Sequence, residues 1–238
     1  MRIAVIALVL SLGCSAQAQL DEIIKKAGAA LGQKNTAGLS DTKIVAGLKE
    51  ALQVSTGKAV ALTGKPDGFL KNAAIKILLP EKLRPVASGM RMMGMGGQMD
   101  ALEVGMNRAA EQATPLAKQI FLNSLRKMTF DDARKILTDG GTAATDYFKR
   151  SSSEELTTAF SPIVHSSMLK VGVVQQYNKV LNSAPGGTAL AGRFDLDKYV
   201  VGKTLDGLFY MLGEEEKKIR KDPAAQTTAL LKEVFGKH

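Results

Sequence analysis

The sequence predicts an all-α protein, an orthogonal bundle of roughly ten to twelve helices in a single domain. Apolar residues recur at steps of three and four, as in the stripe formed by Leu205, Leu208 and Leu212, which places them on one helix face. No segment shows sustained alternation of apolar and polar residues. Aromatic residues make up only 5% of the chain and Trp is absent, so we expect a core built from Leu, Ile, Val, Met and Ala, which suits helix packing.

Helix-start signals divide the chain into segments. Thr129 with Asp132 and Ser151 with Glu154 resemble capping boxes, in which each side chain bonds the other's backbone N–H. Ser161-Pro162 places a capping oxygen before a proline that fits the first helical turn. The predicted helices are 20–33, 41–62, 67–76, 81–93, 98–113, 115–128, 130–138, 142–151, 153–160, 162–182, 196–221 and 223–235.

Three details refine this map. Residues Ile75 to Leu79 have a short extended run ending at Pro80 as an alternative to helix. Glu216 and Arg220 form an acid-before-base pair one turn apart, as do Glu214 and Lys218. The glycine-rich loop 184–194 separates two long helices, and the sequence leaves open whether it divides the domain.

The first 18 residues have the three-part form of a cleavable secretory signal. A basic start is followed by the apolar stretch Ile3 to Leu12 and by a small-residue cleavage site ending at Ala18. We therefore expect a periplasmic protein comprising residues 19–238. The alternative is a lipoprotein anchored through Cys14, although Ser11 stands where such sites usually have Leu. Cleavage after Ala18 removes the single cysteine, which excludes disulfides and thiolate catalysis.

The formal net charge is +9. An exported basic protein rarely meets nucleic acid, so we expect an anionic membrane surface, a lipid or an envelope protein as partner. The alternative is that the charge only aids solubility.

Several ordered runs resemble the bacterial domain-of-unknown-function 4197 family, over roughly residues 40–235. The resemblance implies a helical envelope protein of Gram-negative bacteria and no assigned activity. The Met-rich segment 89–99 departs from that family's pattern. The runs that carry the resemblance are Gly47–Leu52, Asp67–Leu70, Met106–Glu111, Ala143–Phe148, Phe160–Val164, and Leu205–Phe209 followed by Glu214–Arg220.

The first candidate site lies on the predicted helix 98–113. Glu103, Asn107 and Glu111 step by four residues and share one face, with Arg108 beside them. Because a buried Arg must be paired, these four residues are the best polar candidates for a ligand or partner site. The alternative is a structural polar network. A hydrolase-type enzyme using this cluster would require Glu103, Arg108 and Glu111 to line a pocket.

The second candidate is a basic and methionine-rich surface. Between Lys58 and Arg91 the sequence has seven basic and two acidic residues, and five methionines lie within the ten positions 90–99. Such a segment suits an anionic membrane or an adaptable partner surface. The alternatives are core packing, a solvated basic face or a Cu(I) site made of converging thioethers. The residues of this surface are Lys82, Arg84, Arg91, Met92, Met93 and Met95.

Other chemistry has little support in the sequence. His165 is the only internal histidine and is expected to be a surface or packed side chain. Asp131-Asp132 and Asp195 with Asp197 stand at helix starts, where carboxylates favour the positive end of the helix dipole. No phosphate-binding loop, zinc motif or nucleophile elbow is found. We therefore expect no cofactor and no metal, and a non-enzymatic binding or envelope-maintenance module.

Overall fold

In the computed structural model the chain is described over residues 41–94, 96–170 and 195–221, and at 172, 175, 177–179 and 182. Within them are seven α-helices, two 3₁₀ turns and no strand. The helices are α1 (Asp41–Gly64), α2 (Arg84–Met92), α3 (Gly96–Ala113), α4 (Ala117–Lys127), α5 (Phe130–Asp139), α6 (Ala143–Lys170) and α7 (Leu196–Lys221). The 3₁₀ turns Glu81–Leu83 and Thr114–Leu116 lead into α2 and α4.

The all-α prediction is confirmed, but ten to twelve helices is wrong for the described part of the chain. Predicted helices 142–151, 153–160 and 162–182 share one helix, α6, which is described as far as Lys170 and contains Pro162. Ser161, expected to cap a new helix, instead donates its Oγ hydroxyl to the preceding turn, to Thr157 O at 2.7 Å, and Ser153 Oγ likewise donates to Lys149 O at 2.6 Å. Side chains that bond back in this way continue a helix and do not start one.

The predicted helix 67–76 is also wrong. Residues 65–80, which we call the 65–80 segment, form a series of turns followed by extended chain. Asp67 has φ of 64°, and a Cβ on Gly68 would lie 2.4 Å from Leu62 O. A helix cannot pass through a left-handed residue. The extended alternative for Ile75–Leu79 is the better description, because Ile75, Ile77 and Leu79 are buried while Leu78 is exposed.

The core lies where α4, α6 and α7 meet. The ring of Phe121 lies 5.0 Å from that of Phe148 and 6.1 Å from that of Phe209, both tilted as aromatic pairs prefer. Helix α3 packs against α6 and α7, α5 packs against α6, and α2 packs against α3. The capping box of Thr129 and Asp132 is confirmed at the start of α5.

The 65–80 segment is packed between α3 and α7. Phe69 is fully buried, and a Cβ on Gly207 of α7 would lie 2.6 Å from its ring. The Tyr199 hydroxyl donates to Leu78 O at 2.9 Å. Backbone groups of this irregular segment that are not paired within it need hydrogen-bond partners elsewhere, and these lie on α3 as well as at Tyr199 of α7.

The described residues from Val45 onward group into one compact unit. Some of the predicted features lie outside the described residues. These are the signal segment 1–18 with Cys14, the helices 20–33 and 223–235, the loop 184–194, and Met95. Within the described part, no helix is both long enough and apolar enough to cross a membrane.

Candidate functional site

Asn107 on α3 is completely buried and acts as a hydrogen-bonding partner for the extended chain. Its Oδ1 accepts from Ile77 N at 2.9 Å, and its Nδ2 donates to Ile77 O at 2.8 Å. The same Nδ2 donates to Glu103 O, one turn earlier on α3, at 2.8 Å. Both amide hydrogens and the carbonyl oxygen are therefore engaged within the protein.

Glu111 lies one turn further along α3, with 4% of its surface exposed. Its Oε1 accepts from the successive backbone N–H groups of Phe69 and Leu70, each at 3.1 Å. Its Oε2 accepts from Arg108 Nη1 at 2.7 Å. Three donors, one of them charged, compensate the carboxylate for the water that it has lost.

Arg108 connects this carboxylate to the start of the 65–80 segment. Its Nη2 donates to Asp67 Oδ1 at 2.7 Å, and the other oxygen of Asp67 contacts Lys71 Nζ at 2.7 Å. The hydrogen bonds that Arg108 donates, to Glu111 and then to Asp67, raise its pKa. Hydrogen bonds from Lys71 and then Arg108 lower the pKa of Asp67 from its ordinary 3.8. Asp67 and Arg108 are thus each held in their charged form.

Glu103 completes the set. Its Oε1 contacts Lys76 Nζ at 2.6 Å, so the four predicted residues all face the 65–80 segment or its side chains. The common face predicted from their spacing is observed, together with the partners that the sequence reasoning did not identify. Of the two interpretations of the cluster, this geometry favours the structural network.

The enzyme hypothesis required Glu103, Arg108 and Glu111 to line a pocket. Four surface depressions stand out in the described part of the chain, with volumes of about 290, 690, 300 and 380 Å³. None of the four is lined by any of these three residues. No observation therefore favours this cluster as a catalytic centre.

A second buried carboxylate, Glu216 on α7, was recognised in the sequence only as a partner of Arg220. That pair is confirmed, with Arg220 Nη2 2.9 Å from Glu216 Oε1. The carboxylate also accepts from Ala144 N at 3.0 Å and from Thr145 N at 2.9 Å. Glu216 therefore caps the N-terminus of α6 from another helix, at the end where the helix dipole favours an anion.

The basic methionine surface is organised around α2. Lys82, Arg84 and Arg91 are exposed, as are Met92 (89%) and Met93 (55%). Two of the cations have acidic neighbours: Arg84 lies 3.5 Å from Glu81, and Arg91 lies 3.0 Å from Asp100. The described members of the predicted surface are thus accessible on the outer side of one short helix and its leading turn.

The methionines of this segment do not share one environment. Met90 and Met99 are fully buried in the core, whereas Met92 and Met93 face outward. A Cu(I) site requires several sulfurs to converge, and this division among the described methionines gives that alternative no support. Among the described residues, no group of three or more His, Cys, Asp or Glu side chains is placed to hold a metal.

His165 has a partner that its sequence neighbours did not indicate. Its Nδ1 lies 2.5 Å from Asp197 Oδ2, and this contact joins α6 to the first turn of α7. A hydrolytic triad also needs a hydroxyl directed at the histidine. Ser161 donates its hydroxyl to Thr157 O and Ser167 donates to Gln112 Oε1. His165 and Asp197 therefore form a surface contact between two helices.

These observations define an all-α protein in which buried charged side chains serve backbone groups of the protein itself. The chain belongs to the DUF4197 family, described as a protein of unknown function, whose sequence model matches residues 38–236. A search of curated proteins and a search of solved structures each found no match.

Most of the runs that resemble this family contact one another in the structure. Asp67–Leu70 contacts Met106–Glu111 through Arg108 and Glu111. Because Gly207 has no side chain, it leaves room for the ring of Phe69. Ala143–Phe148 contacts Glu214–Arg220 through Glu216. Apart from Gly47–Leu52 and Phe160–Val164, the runs thus form two sets of contacts between residues distant in sequence.

Proposed function

We propose that this protein is a non-enzymatic binding module of the bacterial cell envelope that associates with an anionic lipid surface. The observation that carries the proposal is the pair of exposed methionines, Met92 and Met93, at the end of a helix whose outer side bears Arg84 and Arg91. The signal-like segment 1–18 supports export to a compartment bounded by such surfaces.

The orientation of α2 against the core determines which of its residues could contact the lipid surface. Ala87 and Met90 face the core, so the helix does not present an apolar face for insertion along its length. Contact would depend instead on the methionine pair at its C-terminal end, placed beside the turn at Gly94, where φ is 77°. Flexible thioether side chains adapt to irregular apolar surroundings.

The cations would supply the preference for anionic lipid. A basic residue near an anionic surface contributes about 1 kcal/mol at moderate salt. Glu81 and Asp100 partly neutralise Arg84 and Arg91, so the attraction is modest, and exposed ion pairs of this kind are weak enough to exchange partners. The binding should therefore weaken as salt increases.

Co-sedimentation with lipid vesicles tests the proposal. We expect the purified protein to bind vesicles containing phosphatidylglycerol more tightly than vesicles of phosphatidylcholine alone. Met92→Ser with Met93→Ser should reduce the partition coefficient by about tenfold or more, because apolar contact is lost. The matched control is Leu169→Ser with Tyr210→Ser, which removes two other exposed apolar side chains and should leave binding unchanged.

Charge is tested separately. Replacing Lys82, Arg84 and Arg91 with Gln should remove most of the preference for phosphatidylglycerol and its salt dependence, while binding to phosphatidylcholine stays the same. Equal binding to both vesicle types by the unmodified protein would contradict the proposal. So would equal losses in the methionine variant and its control.

A further inference from the structure

A groove of about 690 Å³ runs between α6 and the residues leading from the Thr114–Leu116 turn into α4. It has the largest volume of the four depressions described above, and it lies apart from the residues of the basic methionine surface. Its walls come from two stretches of chain that are distant in sequence. The lining residues are Leu116, Gln119, Ile120, Ser151, Glu154, Glu155, Thr158 and Ala159.

The wall on α6 is one helical stripe. Ser151, Glu154, Glu155 and Thr158 are spaced by three, four and seven residues from the first and therefore share a face. All four are exposed. The opposite side of α6 supplies the buried Leu156 and other core residues, so the packing of α6 in the core fixes which face is presented to the groove.

The floor is apolar. Leu116 leaves 41% of its surface exposed, while Ile120 is buried and Ala159 is partly buried. The accessible apolar surface of the floor is therefore that of Leu116 and part of Ala159, and it lies within a polar rim. The side chains of an amphipathic helix can enter a groove between two helices as ridges enter grooves.

The rim is acidic. Glu154 and Glu155 are exposed, neither forms an ion pair within the described residues, and no Lys or Arg is among the residues lining the groove. The chain as a whole carries a net charge of +9, so this concentration of negative charge beside apolar surface is local. Two carboxylates at the rim repel an anionic lipid surface and attract a cationic ligand.

We infer that this groove docks a cationic amphipathic helix of a partner polypeptide. Apolar side chains one turn apart on that helix would cover Leu116 and Ile120, and Lys or Arg side chains flanking them would reach Glu154 and Glu155. The inference is independent of the proposed lipid association, because the two surfaces have opposite charge and share no residue.

Fluorescence anisotropy with designed peptides tests this inference on the purified protein. The probe is a labelled peptide of about four helical turns, with Leu at helical spacing and Lys on the flanking positions. One comparison peptide has the same composition with the Leu spacing scrambled, and another has Glu in place of every Lys. We expect the cationic amphipathic peptide to bind at least about tenfold more tightly than either.

Variants locate the binding. Glu154→Lys with Glu155→Lys should weaken binding by about tenfold or more, and Leu116→Gln should weaken it severalfold. The matched control, Asp131→Lys with Asp206→Lys, changes the net charge by the same amount at exposed positions outside the groove, and it should change binding less than about twofold. Thermal unfolding followed by circular dichroism confirms that each variant is folded.

Three outcomes would overturn the inference. The first is equal binding of the helical and scrambled peptides, and the second is equal loss in the groove variant and its charge-matched control. The third is that the unmodified protein binds no peptide but self-associates in sedimentation velocity, and that the groove variant does not self-associate. A second copy of the chain would then be the occupant of the groove. Vesicle binding by the groove variant, which should persist, separates this result from failure of the proposed lipid association.

Discussion

Two buried glutamates, Glu111 and Glu216, have nearly the same surroundings and hold very different backbone. Each is almost inaccessible, at 4% and 3% exposure. Each accepts hydrogen bonds from two successive backbone N–H groups far away in sequence. Each also contacts an arginine of its own helix. Glu216 caps the first turn of α6, whereas Glu111 holds turns of the 65–80 segment that belong to no helix.

The difference lies in what remains if the carboxylate is lost. The N-terminus of α6 is the start of the longest described helix, and Arg220, which is mostly buried, also donates to Ile136 O at 2.8 Å. Loss of Glu216 therefore affects core packing directly. Arg108 keeps Asp67 as a second partner, and its side chain is one-third exposed. Loss of Glu111 therefore leaves this arginine paired and should cost less stability.

Replacing each glutamate with glutamine is the strongest test of this comparison. Glu216→Gln should lower the free energy of unfolding by about 3–5 kcal/mol, because a buried ion pair is broken and backbone donors lose a charged acceptor. Glu111→Gln should lower it by about 2–3 kcal/mol, since the side chain of Arg108 is 33% exposed and that of Arg220 only 16%. Urea unfolding of both variants measures these values.

Amide hydrogen exchange in the same variants separates the two regions. Exchange at Phe69 and Leu70 should accelerate in Glu111→Gln while Ala144 and Thr145 keep their protection, because local opening need not unfold the core. The exposed Glu214, paired with Lys217, provides the control substitution to Gln and should change little. Equal destabilisation by the two buried substitutions would contradict the distinction drawn here.

Much of the fold was predictable because local rules and core packing agree. Helix α7 was predicted at 196–221, and the structure places its start at Leu196 and describes it as far as Lys221, since its apolar stripe has one clear period. In α6 the rules conflicted: Ser161-Pro162 indicated a helix start, while Leu156, Phe160 and Val164 continued one buried face. The buried face determined the outcome, as tertiary packing commonly overrides local signals.

The candidate site was predictable only in part. The spacing of Glu103, Asn107 and Glu111 placed them on one face of α3, and the structure confirms this arrangement. What they hold could not be derived from spacing, because Phe69 and Ile77 lie some thirty to forty residues away in sequence and periodicity carries no information about distant contacts. Glu216 was missed as a cap of α6 for the same reason.

Two glycines of α7 test whether the 65–80 segment needs its close contact with that helix. Gly207→Ala should destabilise the protein by about 1–3 kcal/mol, because the new Cβ would meet the ring of Phe69 at 2.6 Å and Ile75 Cβ at 3.1 Å. Gly202→Ala is the matched control, with nothing within 4 Å, and should stabilise by about 0.5–1 kcal/mol. Thermal and urea unfolding measure both, and a stabilising Gly207→Ala would show that the segment is not tightly packed there.

The smallest effect concerns acid stability at the exposed end of the Glu111 region. Hydrogen bonds from Lys71 and Arg108 hold the pKa of Asp67 below its ordinary 3.8. A carboxyl whose pKa is lower in the folded state contributes stability above the unfolded value, and that contribution is lost as pH falls through the folded value.

Asn tolerates the left-handed backbone at this position, so Asp67→Asn removes the charge with little strain. Urea unfolding should show the variant less stable than the unmodified protein near neutral pH, with the difference shrinking below about pH 4. A difference that stays constant with pH would show that the ion pairs of Asp67 contribute nothing to folding, and that Glu111 alone holds this end of the segment.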